Sequence, residues 1–225
     1  AMRWFMVRGG LVDVPHVSHY RLADHLSLAF VIFLWAVWLA RELSVTPHRE
    51  GVTPAVRRLL ARGLGWVGVL LGIQVVWGAF VAGLRAGFMY NTFPLMGGGL
   101  LPPDFLVLEP ALRNLVEHPS AVQWMHRVLG TLLLGVAGVF WWRVRSTPGV
   151  DPRSRGWNHL LFGGIAFQYL LGVAPLVLVV PLWLGVPHQA VAMVLAGVWV
   201  VWLHHFRNLA PGGAGPDGAT AASAP

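Results

Sequence analysis

Residues 120–142, SAVQWMHRVLGTLLLGVAGVFWW, form an apolar run long enough to cross a lipid bilayer as one α-helix. Crossing the hydrocarbon core takes about 20 apolar residues, and Arg127 is the only Asp, Glu, Lys or Arg in this run. Four other runs have the same character, so the sequence predicts five membrane-spanning helices. We place them at residues 22–40, 63–84, 120–142, 158–180 and 182–204.

The composition agrees with this interpretation. Of the 225 residues, 56% are hydrophobic and 11% are charged, whereas a soluble domain carries about 25% charged residues. Mean hydropathy is +0.63. These values exclude an ordinary soluble globule, so the predicted fold class is an all-α polytopic membrane protein in contact with the lipid bilayer.

The positive charge is interpreted as a topology signal. The net charge is +7 and all 16 basic residues are arginine, spread over several loops without a run, so nucleic acid is not an expected partner. Arginines concentrate in the gaps 41–62 and 143–157, which the positive-inside rule assigns to the cytoplasm. The segment 85–119 then lies outside and the C-terminus lies inside.

The two ends of the chain carry separate expectations. The short run from Trp4 to Val7 stops at Arg8 and resembles the outer end of a further helix. Residues 208–225 are rich in Ala, Gly and Pro, which predicts a disordered tail. Cysteine is absent, so disulfides and thiolate metal sites are excluded.

Three of the ten histidines stand out by their predicted depth. His25, His126 and His188 each lie one to two turns inside a helix that runs from outside to inside, where ionisable groups are costly and usually functional. Imidazole is an iron ligand, and a pair on facing helices can hold a haem; a hydrogen bond to a neighbouring helix is the structural alternative for each one. The other seven are expected in loops or at solvated helix ends: His16, His19, His48, His118, His159, His204 and His205.

Polar residues near His126 are candidate contacts for a cofactor. Arg127 can pair with an anionic haem propionate, although an arginine at this depth can also extend its charge to the headgroups. Gln123, three residues before His126, lies on the same helical face.

The outer connection holds the run GLRAGFMYNTFPLMGGGLLP, residues 83–102. It is too apolar for a solvated loop, so we expect it to fold back over the outer helix ends and cover the site. Arg85 is a second candidate for propionate pairing, with Tyr90 and Asn91 as polar partners. An anchor at the membrane–water interface is an equally good interpretation of Tyr90.

A short internal repeat links two of the predicted helices. Gln74–Gly78 (QVVWG) and Gln168–Gly172 (QYLLG) share the pattern of Gln, three residues, Gly. Both lie in the middle of helices that run from inside to outside. The repeat predicts that helix pairs were duplicated.

Four motifs resemble the haem A synthases, in the cysteine-free branch of proteobacteria and mitochondria. They are VSHYRLADHL (17–26), GLRAGFMYNTFPLM (83–96), VQWMHR (122–127) and PHQA (187–190), in a match from about Trp4 to Arg207. The resemblance implies a family fold of eight transmembrane helices in two similar halves, of which this chain resembles helices four to eight. Residues 1–20 would end a missing helix, 21–42 would belong to the N-terminal half, and 63–207 would form the C-terminal four-helix haem-binding half.

The resemblance also implies roles for individual residues. His126 and His188 match the ligands of a b-type haem, and His25 matches one ligand at the site where haem O becomes haem A. Arg21 lies in the same motif as His25 and is a further candidate cofactor contact. Gln123 stands where the family's other half has a glutamate associated with catalysis. That glutamate and the second histidine of the haem O site lie in the family's helices one to three, so no catalytic residue is assigned and the chain is expected to be a fragment or one subunit of a split enzyme.

Three functions follow as hypotheses. The first is a haem A synthase-type oxidoreductase that oxidises a ring methyl of haem O to a formyl group, with haem O synthase and cytochrome oxidase assembly proteins as expected partners, and with a missing N-terminal half or a second copy to complete it. The second is a non-catalytic membrane module that carries a b-type haem for electron transfer. The third is a small transporter or scaffold whose histidines only pack.

Overall fold

The computed structural model describes residues 18–44 and 51–211. The predicted helix end at Trp4 to Val7 and most of the predicted tail lie outside these residues, as do His16 and His48. Five long helices account for most of the described chain: α1 (His19–Ser44), α2 (Pro54–Gly83), α4 (Pro119–Ser146), α5 (Pro152–Val177) and α6 (Leu182–Arg207). The shorter elements are β1 (Gly51–Val52), α3 (Asn114–Glu117), β2 (Ala210–Pro211), and 3₁₀ turns at Ala86–Phe88 and Ala111–Arg113.

All five long helices are long and apolar enough to cross a membrane. The predicted all-α fold and the five predicted spans are therefore confirmed for the described residues. Each helix is longer than its apolar run, because polar residues at the ends extend it beyond the hydrocarbon layer. The two short strands pair in parallel and join the start of α2 to the end of α6.

Proline and capping residues set where three of these helices begin. The Thr53 hydroxyl accepts a hydrogen bond from the Val56 amide (3.3 Å) ahead of Pro54. The Asp151 carboxylate accepts one from the Ser154 amide (2.8 Å) ahead of Pro152. Pro in the first helical turn loses no hydrogen bond, and the cap satisfies a free amide. Pro119 starts α4 in the same way but without a side-chain cap.

Helices α5 and α6 form a hairpin at Pro181. Helix α5 ends at Val177 and α6 begins at Leu182, with Pro181 at the cap position. Val179 and Val180 have φ values of 61° and 54°, a left-handed conformation that is strained for β-branched residues. The strain lies at the outer rim of the bundle, next to the cavity that Val180 helps to line.

Helices α2, α4, α5 and α6 form a closed ring in which each packs on its neighbours, and α1 lies against α2 and α6. The end of this bundle that carries the arginine-rich gaps is filled with side chains. Phe140 and Trp202 stack there with ring centroids 5.2 Å apart, and Leu60 and Leu64 are buried beside them. The opposite end of the ring is hollow, and the candidate site lies in it.

Candidate functional site

A cavity of about 390 Å³ occupies the hollow end of the helix ring. Sites for small molecules and cofactors are typically about 300–1,000 Å³ and mainly apolar. Aliphatic side chains from all four ring helices line most of it: Leu71, Val75, Leu133, Ile165, Val173 and Leu195. Such walls suit an apolar, flat ligand better than a hydrated one.

His126 from α4 and His188 from α6 face each other across this cavity. Their ring centroids are 6.5 Å apart and the ring planes make an angle of 77°. An imidazole nitrogen binds a metal at about 2 Å, so two rings on opposite sides of one metal have centres roughly 6 Å apart. The predicted pair is therefore spaced to hold one metal ion between two histidines.

The glutamines of the internal repeat contact these two histidines. The Gln168 side-chain amide donates to the His188 backbone carbonyl (2.8 Å) and lies 3.2 Å from the ring nitrogen Nδ1. The Gln74 amide donates to the His126 carbonyl (3.1 Å) and lies 3.3 Å from Nε2. Each glutamine reaches the histidine of an adjacent helix, so the repeat in sequence corresponds to a repeated contact in space.

The glycines of the repeat make room for the same two rings. A Cβ atom on Gly172 would lie 2.9 Å from His188 Cε1, and one on Gly78 would lie 3.3 Å from His126 Cε1. Any larger residue at Gly172 would displace the ring. Sequence reasoning found this repeat but assigned it no contact with the histidines.

Several polar atoms around the cavity are buried without a hydrogen-bond partner among the described residues. They include the His126 Nδ1 atom and the side-chain oxygens of Gln74, Gln123 and Gln168. Buried polar groups are normally hydrogen-bonded, and exceptions often mark a functional site. Two facing imidazoles, unsatisfied polar atoms and apolar walls form a donor set that fits a haem. The described residues contain no cluster of three or more metal-ligating side chains.

The outer segment folds over the cavity as predicted. It belongs to the outer connection between α2 and α4, residues 84–118, which we name the cover. The Arg127 guanidinium donates to the carbonyls of Tyr90 (2.6 Å) and Thr92 (2.9 Å), and the buried Gln123 amide donates to Tyr90 as well (3.0 Å). Both side chains also line the cavity. In this structure Arg127 holds the cover in place, in addition to its predicted position next to the site.

The other predicted residues of the outer segment divide into two groups. Arg85 has a left-handed φ of 53° and lines the cavity. Tyr90 and Asn91 do not line it. The Asn91 amide donates to the Leu176 carbonyl at the end of α5 (2.8 Å), and the Tyr90 hydroxyl donates to Asp104 (2.6 Å). Their contacts are structural ties between the cover and the bundle.

Asp104 anchors the cover and had no signal in the sequence. Its carboxylate accepts hydrogen bonds from Tyr90 and from Ser120 (2.6 Å), which lies in the first turn of α4. Burial raises the pKa of Asp104, but these hydrogen bonds outweigh burial and leave the pKa below its usual value. The hydrogen bond between Tyr90 and Asp104 also raises the pKa of the Tyr90 hydroxyl. The carboxylate is therefore charged at neutral pH and joins two elements.

His25 and Arg21 lie on α1, apart from the two-histidine cavity. His25 is exposed, and neither residue lines the cavity, whereas Leu26 and Phe30 of the same helix do. The structure therefore brings together His126 and His188 but not His25. The expected role of His25 at a different haem stays a prediction.

The prediction that His204 and His205 are solvated is wrong. Both are buried, and their Nε2 atoms lie 3.0 Å from the carboxylates of Glu42 and Asp151 respectively. The end of α6 packs between the end of α1 and the start of α5, which excludes water and places an acidic partner beside each ring. Burial raises the pKa of Asp151, but the hydrogen bonds from His205 and Ser154 outweigh it and hold the pKa at about 2.

Fold and site together define a class: a polytopic helical membrane protein with a cavity between two facing histidines. The chain belongs to the COX15-CtaA family of cytochrome oxidase assembly proteins, whose family profile matches residues 1–200. This membership confirms the resemblance drawn from the four motifs.

Three curated relatives show the extent of the similarity. A heme A synthase of Nitrosospira multiformis is 42% identical over 201 residues, which cover 88% of this chain and 56% of the relative. A heme A synthase of Rhodospirillum centenum is 42% identical, covering 91% and 54%, and one of Wolbachia pipientis wMel is 35% identical, covering 91% and 56%. The chain thus spans about half the length of these relatives. No solved structure matches the chain.

Proposed function

We propose that this chain acts in haem A synthesis, in the oxidation of a ring methyl of haem O to the formyl group of haem A. The observation that carries the proposal is the pair of facing imidazoles of His126 and His188, 6.5 Å apart in an apolar cavity. The relatives also support the proposal, because proteins named heme A synthase match most of the length of this chain. Because the chain spans about half of those relatives, the complete activity is part of the proposal.

His126 and His188 would hold a b-type haem, and Arg85 and Arg127 would meet its propionates. A bound haem would supply one-electron transfer, with its potential set by the two histidines that hold it and by their hydrogen bonds. Gln74 and Gln168 hold the two histidine-bearing turns in place through the backbone carbonyls. The outer segment, tied down by Arg127 and Asp104, would restrict the access of water to the cavity.

His25 would be a ligand at the haem O site, with Arg21 as a nearby cationic contact. This part of the proposal rests on the motif around His25, whose ring is exposed on α1. The second ligand of that site would come from a polypeptide segment beyond those described. A missing N-terminal half or another copy of the chain would supply it.

A second candidate function is a membrane module that carries a b-type haem and has no catalytic activity. The separation of His25 from the cavity favours it, because His126 and His188 line one cavity that His25 does not reach. Electron transfer needs only that site.

The proposed location is the bacterial inner membrane, with the C-terminus in the cytoplasm. The described arginines of the two gaps, from the end of α1, the start of α2 and the turn between α4 and α5, lie at the same end of the bundle, opposite the cover. Under the positive-inside rule this end is cytoplasmic. The enzyme that makes haem O and the assembly factors of cytochrome oxidase are the partners that such a protein would meet in this membrane.

Haem binding is tested with the 225-residue chain purified from cells supplied with haem. We expect a Soret band and the sharp visible bands of a low-spin haem, lost in His126→Ala and in His188→Ala. His25→Ala is the matched control and should keep the spectrum. A preparation of folded wild-type chain without Soret absorption would overturn both functions.

Catalysis is tested in cells that make haem O but no haem A, by extracting the haems and separating them by chromatography. Haem A formed by the wild-type chain, and absent with His25→Ala, would establish the synthase. Haem b bound to the chain without any haem A would instead establish the electron-transfer module.

A further inference from the structure

A second cavity lies outside the helix ring, beside its filled end, where α1 and α6 end and α5 begins. Its volume is about 530 Å³, and its walls combine cationic, polar and apolar side chains. Its lining includes Arg41, Arg153, Trp157, Leu160, His204 and Asn208. None of them lines the two-histidine cavity, which opens at the other end of the ring.

The acidic groups around this second cavity are already paired. Glu42 lies 3.0 Å from the His204 ring and Asp151 lies 3.0 Å from the His205 ring. Within residues 18–44 and 51–211, no carboxylate pairs with Arg41 or Arg153, and the Arg41 Nε atom is buried without a hydrogen-bond partner. Among the described residues, therefore, no carboxylate compensates the charge of the two guanidinium groups that border the cavity.

The other wall of the cavity is apolar. Leu160 of α5 is 53% exposed on the surface of the bundle, where lipid would contact it, and Trp157 lies one turn before it. Tryptophan favours the boundary between acyl chains and headgroups. A ligand that fits both walls is anionic at one end and apolar at the other.

We propose that this cavity binds an anionic glycerophospholipid, with Arg41 and Arg153 holding the headgroup phosphate. The guanidinium fork matches phosphate oxygens in pairs, and basic pockets between helix ends on the cytoplasmic side suit anionic lipid headgroups. A zwitterionic headgroup would bring its ammonium next to the two arginines, so the lipid is anionic. The Asn208 side chain donates to the His204 carbonyl (3.0 Å) and so shapes the same wall.

Native mass spectrometry of the full chain in a mild detergent tests the proposal. The protein is mixed with equal amounts of phosphatidylglycerol and phosphatidylcholine, and the retained lipids are counted. We expect the wild type to retain phosphatidylglycerol selectively, and the double variant Arg41→Gln/Arg153→Gln to bind it about tenfold more weakly. Arg58→Gln/Arg62→Gln is the matched control, because both residues are exposed on α2 and the charge lost is the same.

Three results would overturn the assignment. Equal weakening in both double variants would mean that general charge, not this cavity, retains the lipid. Equal retention of the two lipids by the wild type, which needs no variant to fold, would exclude an anionic headgroup. Displacement of phosphatidylglycerol by millimolar inorganic phosphate would identify a site for a free anion instead of a lipid.

Discussion

The contact between Gln168 and His188 sets the position of one candidate haem ligand. The glutamine amide donates to the histidine carbonyl at 2.8 Å and lies 3.2 Å from Nδ1. The partner of the ring nitrogen that does not bind metal fixes the orientation and basicity of a histidine ligand. In the proposed haem site, Gln168 would thus be a positioning residue that acts on the bound metal through His188.

We predict that Gln168→Leu lowers haem affinity about 10- to 100-fold and shifts the midpoint potential of the haem that remains. Gln189→Leu is the matched control. Gln189 lines the same cavity, and in the described part of the chain its side chain forms no hydrogen bond with His188. Haem titration and a potentiometric titration measure the two effects. Identical potentials in the two variants would show that Gln168 only packs.

The space beneath His188 gives a second prediction at the residue scale. A Cβ atom at position 172 would lie 2.9 Å from His188 Cε1, whereas one at position 163 on the same helix meets nothing within 4 Å. Gly172→Ala should therefore displace the ring and reduce the haem content of the purified protein, at a cost of roughly 1–3 kcal/mol for the overpacking. Gly163→Ala should leave the haem content unchanged, and equal haem content in both variants would contradict the prediction.

The cover depends on contacts made by one short outer segment with two helices. Asp104 accepts hydrogen bonds from Tyr90 within the segment and from Ser120 at the start of α4. Since its pKa is below the usual value, its stabilising contribution is present at neutral pH and is lost as the pH falls through the lowered pKa.

We predict that Asp104→Asn loosens the cover, because an amide oxygen accepts more weakly than a carboxylate and the amide NH₂ cannot accept at all. Hydrogen–deuterium exchange of residues 84–118 should become several-fold faster at neutral pH, and haem loss should become faster with it. Asp24→Asn removes an exposed carboxylate from α1 and is the control. Unchanged exchange in Asp104→Asn would show that the other ties, from Asn91, Gln123 and Arg127, hold the cover without Asp104.

The membrane spans could be predicted because an apolar run of membrane length has few alternative structures. The helix ends could not: α2 begins at Pro54, nine residues before the predicted start, because Thr53 and Pro54 begin a helix in polar sequence. Contacts across helices were also hidden. His204 and Glu42 are 162 residues apart in sequence, and the Gln168 contact depends on how α5 and α6 are rotated against each other, which hydropathy does not report.

At the scale of the whole molecule, the bundle separates a filled end from a hollow end. The filled end holds the buried core around Leu60, Leu64, Phe140 and Trp202. It also holds the buried pair of His205 and Asp151, which ties the end of α6 to the start of α5. Stability can therefore come from one end while the other end keeps a cavity open for a ligand.

This division predicts that Asp151 contributes to the stability of the whole bundle through its charge. Asn at this position keeps the helix cap, since Asn and Asp cap equally well, but loses the charge-assisted bond to His205. With the pKa of Asp151 lowered from 3.8 to about 2, Asp151→Asn should cost about 2 kcal/mol at neutral pH. Asp151→Ala should cost more, because the cap is lost too.

The pH dependence separates the charge from the cap. A lowered pKa means that the stabilisation is complete above about pH 4 and declines as the pH falls toward about 2. The gap in melting temperature between wild type and Asp151→Asn should close over that range, while the gap between Asp151→Asn and Asp151→Ala should persist. Thermal melts in detergent at pH 7 and pH 3 measure both gaps, and a wild type that melts no higher than Asp151→Asn at pH 7 would place the stability of the bundle in its apolar core alone.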